Sequence, residues 1–380
     1  MVLFILMKIL AIETSCDETA ISLLDINGPL NRPDIKVLGN ALMSQAKLHE
    51  KYGGVYPNLA KREHQKNLPI LLEQVLLKAQ NLPALPTGRQ AARQGPNLEA
   101  SDIDYVAVTK GPGLEPALWT GIVFAQELGK KWNRPVIPVD HMEGHIFSVL
   151  YNLSNTECLT LPALALLVSG GHTELVNVKG FGNYEIIGKT RDDAVGEAFD
   201  KVARMLGLTY PGGPKISLMA QKSRQNRAKI DIELPRPMIH SKDLDFSFSG
   251  LKTAVLYRVK AQNNELSEEF KEDMARAFED SAIETLVTKT EKAIEKLGST
   301  NIKTLIIGGG VSANTYLSQE LKKMLEKYPE INFYIPTKDM STDNAIMIGI
   351  SAFIKLETNP DSINNQIEIK AQGNLSLTSS

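Results

Sequence analysis

Apolar and polar positions repeat one plan at two places in the chain. Residues 8–25, "KILAIETSCDETAISLLD", predict an apolar strand, a polar turn and a second apolar strand. Residues 162–178, "PALALLVSGGHTELVNV", predict the same strand-turn-strand plan. Both turns carry hydroxyl-bearing residues, and the second also contains two glycines. The pattern therefore indicates an internal repeat in which two halves of the chain begin alike.

Helical spacing and further strands alternate around these hairpins. The segment "HQKNLPILLEQVLLKAQ" carries apolar residues at helical spacing, and "IDYVAVTKGPG" predicts a buried strand that ends in a glycine turn. Later segments predict long helices at "DDAVGEAFDKVARMLGL" and "MARAFEDSAIETLVTKTEKAIEKL", and a strand-turn-helix unit at "KTLIIGGGVSANTYLSQELKKML". Strands that alternate with helices indicate an α/β fold.

The length of 380 residues exceeds what one hydrophobic core usually supports, roughly 250–300 residues. We therefore expect two lobes, residues 1–140 and 141–356, followed by a polar tail at 357–380. Residues 81–101 are rich in Pro, Gly, Arg and Gln and predict an inserted surface loop. Arg89 and Arg93 in this loop are candidates for RNA contact, but a solvated loop is the favoured interpretation.

Composition narrows the class of protein. Hydrophobic residues make up 43% and charged residues 23%, as in ordinary globular proteins. The formal net charge of −2 gives no overall attraction to nucleic acid, so a polyanion partner needs a local basic patch or helper proteins. The segment "QKSRQNRAKIDIELPRPM" is the candidate patch, and a charged solvated loop is the equally weighted alternative. Two cysteines form no disulfide framework, and no run reaches the roughly 18–20 apolar residues of a membrane span, so we expect a cytoplasmic location without membrane association.

The stretch "DHMEGHIFSV" places His141 and His145 four residues apart, on one face of a predicted helix. Asp343 in "MSTDNAIMIG" follows a strand at the start of a helix, where the sites of α/β folds gather, and is the candidate third ligand. Two imidazoles and one carboxylate suit Fe(II) or catalytic zinc. A structural histidine pair and a helix-capping role for Asp343 remain the alternatives.

The position of the nearby acid bears on peptidase chemistry. A zinc peptidase of the HExxH type carries Glu directly after the first His, so that it reaches the metal-bound water. Here the acid is Glu143, two residues after His141, and it faces away from the metal on a helix. The segment therefore lacks the base of a metallopeptidase.

Glycine turns at strand ends predict anion-binding backbone. Ser169, Gly170 and Gly171 form the turn of the second hairpin, and "IIGGGVSAN" opens a helix after a strand, with Asn314 as a hydrogen-bonding residue. Each turn alone is also typical of a plain tight hairpin. The chain contains no Walker A motif, GxxxxGK[ST].

The helix at "DDAVGEAFDKVARMLGL" ends close to another glycine turn, "YPGGP". Asp200 on this helix is a candidate partner for a ribose or amino group, and Gly213 lies in the turn. Asp200 and Arg204 are also an i,i+4 pair, so a solvated charged face is the alternative.

Eight motifs in order resemble one family: "ILAIETSCDETA", "HMEGH", "LLVSGGHTEL", "DDAVGEAFDKVARMLGL", "YPGGP", "FSFSGLKTAV", "GGGVSAN" and "STDNAIMIG". Together they resemble the bacterial tRNA N6-adenosine threonylcarbamoyltransferase family over roughly residues 8–356. The resemblance implies a two-lobed, actin-like ATPase fold, which is a duplicated ribonuclease H-like fold. It implies transfer of threonylcarbamoyl from threonylcarbamoyl-AMP to N6 of adenosine 37 in tRNAs that read codons beginning with A.

The same resemblance implies roles for residues and partners. By motif, His141, His145 and Asp343 correspond to the ligands of one Fe(II) per subunit, with zinc possible in purified protein. The substrate-binding positions are Leu167, Val168, Ser169, Gly170, Gly171, Asp200, Gly213 and Asn314. No residue is identified as the base that deprotonates N6.

The implied partners are tRNA, an inactive paralogous subunit that dimerises with the enzyme, and a small P-loop ATPase. Asn58, Lys61, the 81–101 insertion and the tail depart from the family pattern, which puts local tRNA or subunit contacts in doubt. The remaining alternatives are a metallopeptidase and an ATP-dependent binding module on the same fold.

Overall fold

The computed structural model describes residues 6–80, 102–153, 156–227, 230–262, 266–360 and 368–377. The predicted insertion at 81–101, with Arg89 and Arg93, lies outside the described residues. In chain order the elements are β1 Met7–Glu13, β2 Glu18–Asn27, β3 Asp34–Ser44, α1 Ala46–His49, α2 Pro57–Gln80, β4 Tyr105–Gly111, α3 Glu115–Trp132, β5 Val136–Asp140, α4 His141–Phe147, β6 Ala163–Val168, β7 Thr173–Gly180, β8 Asn183–Lys189, α5 Val195–Met205, α6 Gly213–Asn226, α7 Ser249–Lys260, α8 Glu268–Leu297, β9 Thr304–Gly308, α9 Thr315–Leu325, β10 Asn332–Tyr334, α10 Lys338–Ser341 and α11 Ala345–Thr358.

The chain divides into two compact units. The first comprises Met1–Gln45, Val55–Leu159 and Thr342–Ser380, and the second comprises Ala46–Gly54 and Thr160–Ser341. This division differs from the sequence-based boundary at residue 140, because α4 and α11 belong to the first unit. There α11 packs against β1, β2 and α4.

The sheet of the first unit has the order β3-β2-β1-β4-β5. β1, β2 and β3 form an antiparallel meander, while β4 and β5 run parallel to β1. Leu68, Leu71 and Val75 of α2 pack with the strand residues in one buried cluster, as their helical spacing predicts. The carboxyl ends of the parallel strands β1, β4 and β5 meet at one edge of this sheet, the place where α/β folds usually build sites.

The sheet of the second unit repeats this order as β8-β7-β6-β9-β10. β6, β7 and β8 are antiparallel, and β9 and β10 run parallel to β6. Phe199 and Phe278 meet edge to face in its core, with ring centroids 4.9 Å apart. The internal repeat and the duplicated α/β fold are therefore confirmed.

The described part of the polar tail, residues 368–377, packs on the first unit. The amide of Gln372 donates to the carbonyl of Lys110 at 2.8 Å, and the amide of Gly113 donates to the carbonyl of Gly373 at 3.1 Å. Leu375 and Leu377 are buried. Two apolar side chains and two backbone hydrogen bonds thus fix this part of the polar tail.

Among the described residues, no helix is both long enough and apolar enough to cross a bilayer. The longest, α8, carries charged residues throughout its length.

Candidate functional site

The end of β5 sets the direction of the two histidines. Asp140 is the N-cap of α4, and its Oδ1 accepts hydrogen bonds from the amides of Met142 at 2.8 Å and Glu143 at 3.3 Å. His141 and His145 then lie one helical turn apart. Their ring centroids are 4.6 Å apart and the rings are nearly perpendicular. Both rings are buried, so this pair is not a solvated surface feature.

Asp343 completes the group. Its Oδ1 lies 3.3 Å from His141 Nε2 and 3.1 Å from His145 Nε2. The N-cap of α11 is the following residue, Asn344, whose Oδ1 accepts from the amide of Met347. Asp343 is therefore not needed as a cap. The three side chains offer ligand atoms that all lie within 4.8 Å of one another, which suits a single metal ion.

The charges of this group favour a cation. Burial alone would raise the pKa of Asp343, but the two histidines hold it well below its ordinary value. Burial alone would lower the pKa of His141, but Asp343 and Glu13 raise it well above its ordinary value. The pKa of His145 is lowered, chiefly because the ring is buried. Asp343 thus stays ionised beside the two rings, as a carboxylate ligand of a cation must be.

A glycine between the histidines lets α11 approach. A Cβ at Gly144 would lie 3.1 Å from Cγ of Met347 and 3.4 Å from Cδ1 of Ile348. An alanine there would require the side chain of Met347 to shift by a few tenths of an ångström, so the glycine allows α4 and α11 to pack closely. The sequence motif contains this glycine, but only the packing of two distant helices reveals its role.

Glu13 is a second residue that sequence reasoning missed. It is the last residue of β1 and is fully buried. Its Oε2 accepts from Thr109 Oγ1 at 2.6 Å and lies 3.0 Å from His141 Nδ1. Its position at the carboxyl end of a parallel strand was the available signal.

The hairpin turn of the second unit leaves open backbone. Leu167 and Val168 end β6 with fully buried side chains, so only their backbone is available to a ligand. Ser169 Oγ accepts from the amides of Gly171 at 3.3 Å and His172 at 3.0 Å. A Cβ built on Gly170 or Gly171 meets no atom within 4 Å. The turn therefore has room for a group that approaches its main chain closely.

Asp200 holds a second glycine turn in place. Its Oδ1 accepts from the amide of Gly212 at 2.7 Å. Gly213, which begins α6, also faces open space, since a Cβ there meets nothing within 4 Å. Asp200 thus has a structural partner besides any substrate.

Asn314 already makes three hydrogen bonds. As the N-cap of α9 it accepts from the amide of Leu317 at 2.9 Å, and its Nδ2 donates to Ser217 Oγ at 2.9 Å and Glu279 Oε1 at 2.8 Å. Both amide hydrogens are therefore in use. Donation to a substrate by Asn314 would require one of these bonds to be exchanged.

The candidate basic patch is largely neutralised. Arg224 pairs with Glu279 and Asp280 at 2.6 and 2.5 Å, and Arg227 pairs with Glu272 and Asp273, both at 2.6 Å. Arg236 pairs with Glu284 at 2.7 Å. All five acids lie on α8. These three arginines hold α6 and the following loop against α8, so their charges are already balanced by acids.

The chain is similar to known proteins over most of its length. A model of the tRNA N6-adenosine threonylcarbamoyltransferase (TsaD) family matches residues 36–350. A tRNA N6-adenosine threonylcarbamoyltransferase from Herminiimonas arsenicoxydans is 44% identical over 355 residues, which is 93% of this chain and 94% of the relative. Neither match supports the alternatives, a metallopeptidase or an ATP-dependent binding module.

Solved structures show the fold at greater distance. HypF from T. kodakarensis matches with a TM-score of 0.56 and 13% identity, over 94% of this chain and 49% of that chain. Full-length HypF in its phosphate- and nucleotide-bound form matches with a TM-score of 0.54 and 12% identity, over 93% of this chain and 46% of that chain. This chain spans about half the length of those proteins, and the likeness concerns the α/β fold. On the family match and the close relative, the chain belongs to the tRNA N6-adenosine threonylcarbamoyltransferase family and is an acyltransferase that modifies tRNA.

Proposed function

We propose that this chain transfers the threonylcarbamoyl group from threonylcarbamoyl-AMP to N6 of adenosine 37, in tRNAs that read codons beginning with A. The observation that carries the proposal is the convergence of His141, His145 and Asp343 within 4.8 Å in a family member. Within the second unit, the open glycine turns are the proposed binding place of the adenylate.

The three residues fit a divalent transition metal. Two imidazole nitrogens and one carboxylate oxygen, with further positions open, form the ligand set typical of Fe(II), and zinc accepts the same donors. We propose one Fe(II) per chain, held by His141 Nε2, His145 Nε2 and Asp343. When bound, such an ion supplies Lewis acidity and a fixed point for the threonylcarbamoyl group.

The glycine turns would hold the leaving group. The exocyclic amine of adenine is a poor nucleophile, since its lone pair is delocalised into the ring, so the two reactants must be held in line. Gly170, Gly171 and Gly213 leave room for the AMP moiety, and the proposed substrate positions Ser169, Asp200 and Asn314 lie on the same loops or on helices that flank them. Backbone amides in such turns stabilise the phosphate as negative charge develops on departure.

Additional subunits would supply what this chain lacks. The net charge is −2, and the arginines of the candidate patch are paired with acids. We therefore infer that tRNA binds a composite surface formed with an inactive paralogous subunit, and that a small P-loop ATPase completes the system. Because the proposed substrate is tRNA, we infer a cytoplasmic location.

A reconstituted reaction tests this function. The wild-type protein, partner subunits from the same organism, threonylcarbamoyl-AMP and an unmodified tRNA are incubated, and the digested nucleosides are analysed by mass spectrometry. We expect threonylcarbamoyl-adenosine only when threonylcarbamoyl-AMP is present, at position 37, and with a loss of product after chelation that Fe(II) restores. Absence of product with folded, metal-loaded protein and active partners would contradict the proposal.

A further inference from the structure

Glu13 is a carboxylate in an unusual place. It is fully buried at the end of β1, and 128 residues separate it from the histidine that it contacts. Its Oε1 accepts from the amide of Ser15, and its Oε2 accepts from Thr109 Oγ1 and from His141 Nδ1. A buried carboxylate is stable only when its hydrogen-bonding capacity is met and its charge is balanced.

The hydrogen bonds are met, but the charge is balanced only through His141. Within the described residues, no lysine or arginine lies at ion-pair distance from Glu13. If both imidazoles are neutral, Glu13 and Asp343 together carry two negative charges beside one cluster of nitrogen atoms. A divalent cation at that cluster would neutralise both.

The ring of His141 lies between these two carboxylates. Nδ1 is 3.0 Å from Glu13 and Nε2 is 3.3 Å from Asp343. When Nδ1–H donates to Glu13, the lone pair of the ring is on Nε2, the nitrogen that faces Asp343 and His145. In the described structure His145 has no such support, because its Nδ1 is buried without a hydrogen-bond partner.

We propose that Glu13 is a positioning residue of the metal site. It holds the His141 ring through Nδ1, so that Nε2 presents its lone pair to the ion, and it supplies the second negative charge that a divalent ion balances. Thr109 in turn fixes Glu13. Carboxylates that accept from a ligating histidine in this way orient the ring and raise its basicity. The inference rests on the proposed metal site and adds a residue to it.

Metal affinity tests the assignment without using catalysis. Zn²⁺ and Co²⁺ are titrated against a chelator of known affinity into full-length wild-type protein, Glu13→Ala, Glu13→Gln and Thr109→Val. We expect Glu13→Ala to bind about 10–100-fold more weakly, the range for losing such a partner. Glu13→Gln should lie between, because its amide oxygen still accepts from Nδ1–H but carries no charge. The Co²⁺ absorption bands should shift in Glu13→Ala, since a loosened ring changes the ligand geometry.

Two controls separate positioning from folding. Glu143 is another buried acid, located on α4 itself, and its charge raises the pKa of Lys355. The variant Glu143→Gln removes this charge and should leave metal affinity within about twofold of wild type. Thermal unfolding of every metal-free variant reports folding. If Glu13→Ala does not fold, Glu13→Gln and Thr109→Val carry the test.

The outcomes are distinguishable. Weaker binding and shifted Co²⁺ bands in folded Glu13 variants, with Glu143→Gln unchanged, support the assignment. Wild-type affinity and bands in Glu13→Gln and Thr109→Val, beside a His141→Ala variant that loses the metal, would overturn the role of Glu13 alone. If wild-type protein and His141→Ala bind metal equally, the proposed metal site itself fails.

Discussion

The two units use the same hairpin for different purposes. In the first, the turn between β1 and β2 follows Glu13, whose buried carboxylate reaches His141. In the second, the corresponding turn between β6 and β7 consists of residues 169–172, and a Cβ on Gly170 or Gly171 would meet nothing within 4 Å. The hairpin of the first unit thus carries a buried carboxylate, Glu13. The hairpin of the second unit has glycines in its turn, which leave the backbone accessible.

This contrast shows how a duplicated fold divides its chemistry. The sheet orders match, so the backbone does not distinguish the units. The residues at and directly after the first strand of each hairpin do, because β1 ends in the carboxylate Glu13 whereas β6 is followed by Gly170 and Gly171. We therefore expect the metal and nucleotide functions to be separable by mutation.

The largest effect is expected at the metal ligands. His145→Ala removes a fully buried imidazole beside Asp343, one of the three ligands that the described residues bring together. Metal should bind more than about 100-fold more weakly, exceeding the loss of a supporting carboxylate. AMP binding, measured by calorimetry, should change less than about twofold. Loss of both metal binding and AMP binding in His145→Ala would show that the two functions are not separable by mutation.

The converse variant is Gly170→Val. Its side chain would enter open space at the turn, so the fold should persist while AMP binding weakens on the order of tenfold, equal to about 1.4 kcal/mol. Metal binding should be unchanged. Gly180→Val is the matched control, since Gly180 also faces open space but lies at the far end of β7. Equal AMP affinity of Gly170→Val and Gly180→Val would show that the turn at Gly170 does not contact the nucleotide.

Two adjacent glycines of the second unit, Gly309 and Gly310, should differ in how much they contribute to the free energy of unfolding. Gly309 has φ +89°, and a Cβ there would lie 2.5 Å from the carbonyl oxygen of Val168. Gly309→Ala should lower the free energy of unfolding by about 2–3 kcal/mol. Gly310 faces open space, so Gly310→Ala should stay within about 0.5 kcal/mol in chemical denaturation. Similar decreases in unfolding free energy for the two variants would contradict this expected difference.

The smallest effect is expected from ion pairs outside the glycine turns. Burial would raise the pKa of Asp193, but Lys252 and Lys201 lower it. Its contribution to stability is therefore present above its unfolded pKa, about 3.9, and is lost as pH falls through the lower folded value. Because these groups are partly exposed, the contribution should stay below about 1 kcal/mol. In a plot of unfolding free energy against pH, Asp193→Asn should reduce the decrease in stability at acid pH. An unchanged decrease would show that the ion pairs of Asp193 with Lys201 and Lys252 do not contribute to it.

Local pattern predicted the repeat and selected three residues that the structure brings together, His141, His145 and Asp343. The strand-turn-strand segments, the helix at 64–80 and the histidine spacing are all short-range signals. Asp343 lies 198 residues from His145, yet its place after a strand and before a helix was sufficient to select it.

The missed features depend on contacts that spacing does not encode. Gly144 matters because α11 packs on α4, and Glu13 matters because β1 and β5 end at one edge of a sheet. Spacing likewise did not reveal that three arginines of the candidate basic patch pair with acids more than forty residues away on α8. The unit boundary at residue 140 also differs, because α4 packs within the first unit.

The measurement that tests the central claim is threonylcarbamoyl-adenosine formation by His141→Ala beside wild type and Glu143→Gln, with metal content determined on the same samples. The account predicts product and bound metal in wild type and Glu143→Gln, and neither in folded His141→Ala. Equal product formation by His141→Ala, without bound metal, would contradict the claim that the His141, His145 and Asp343 group serves the transfer.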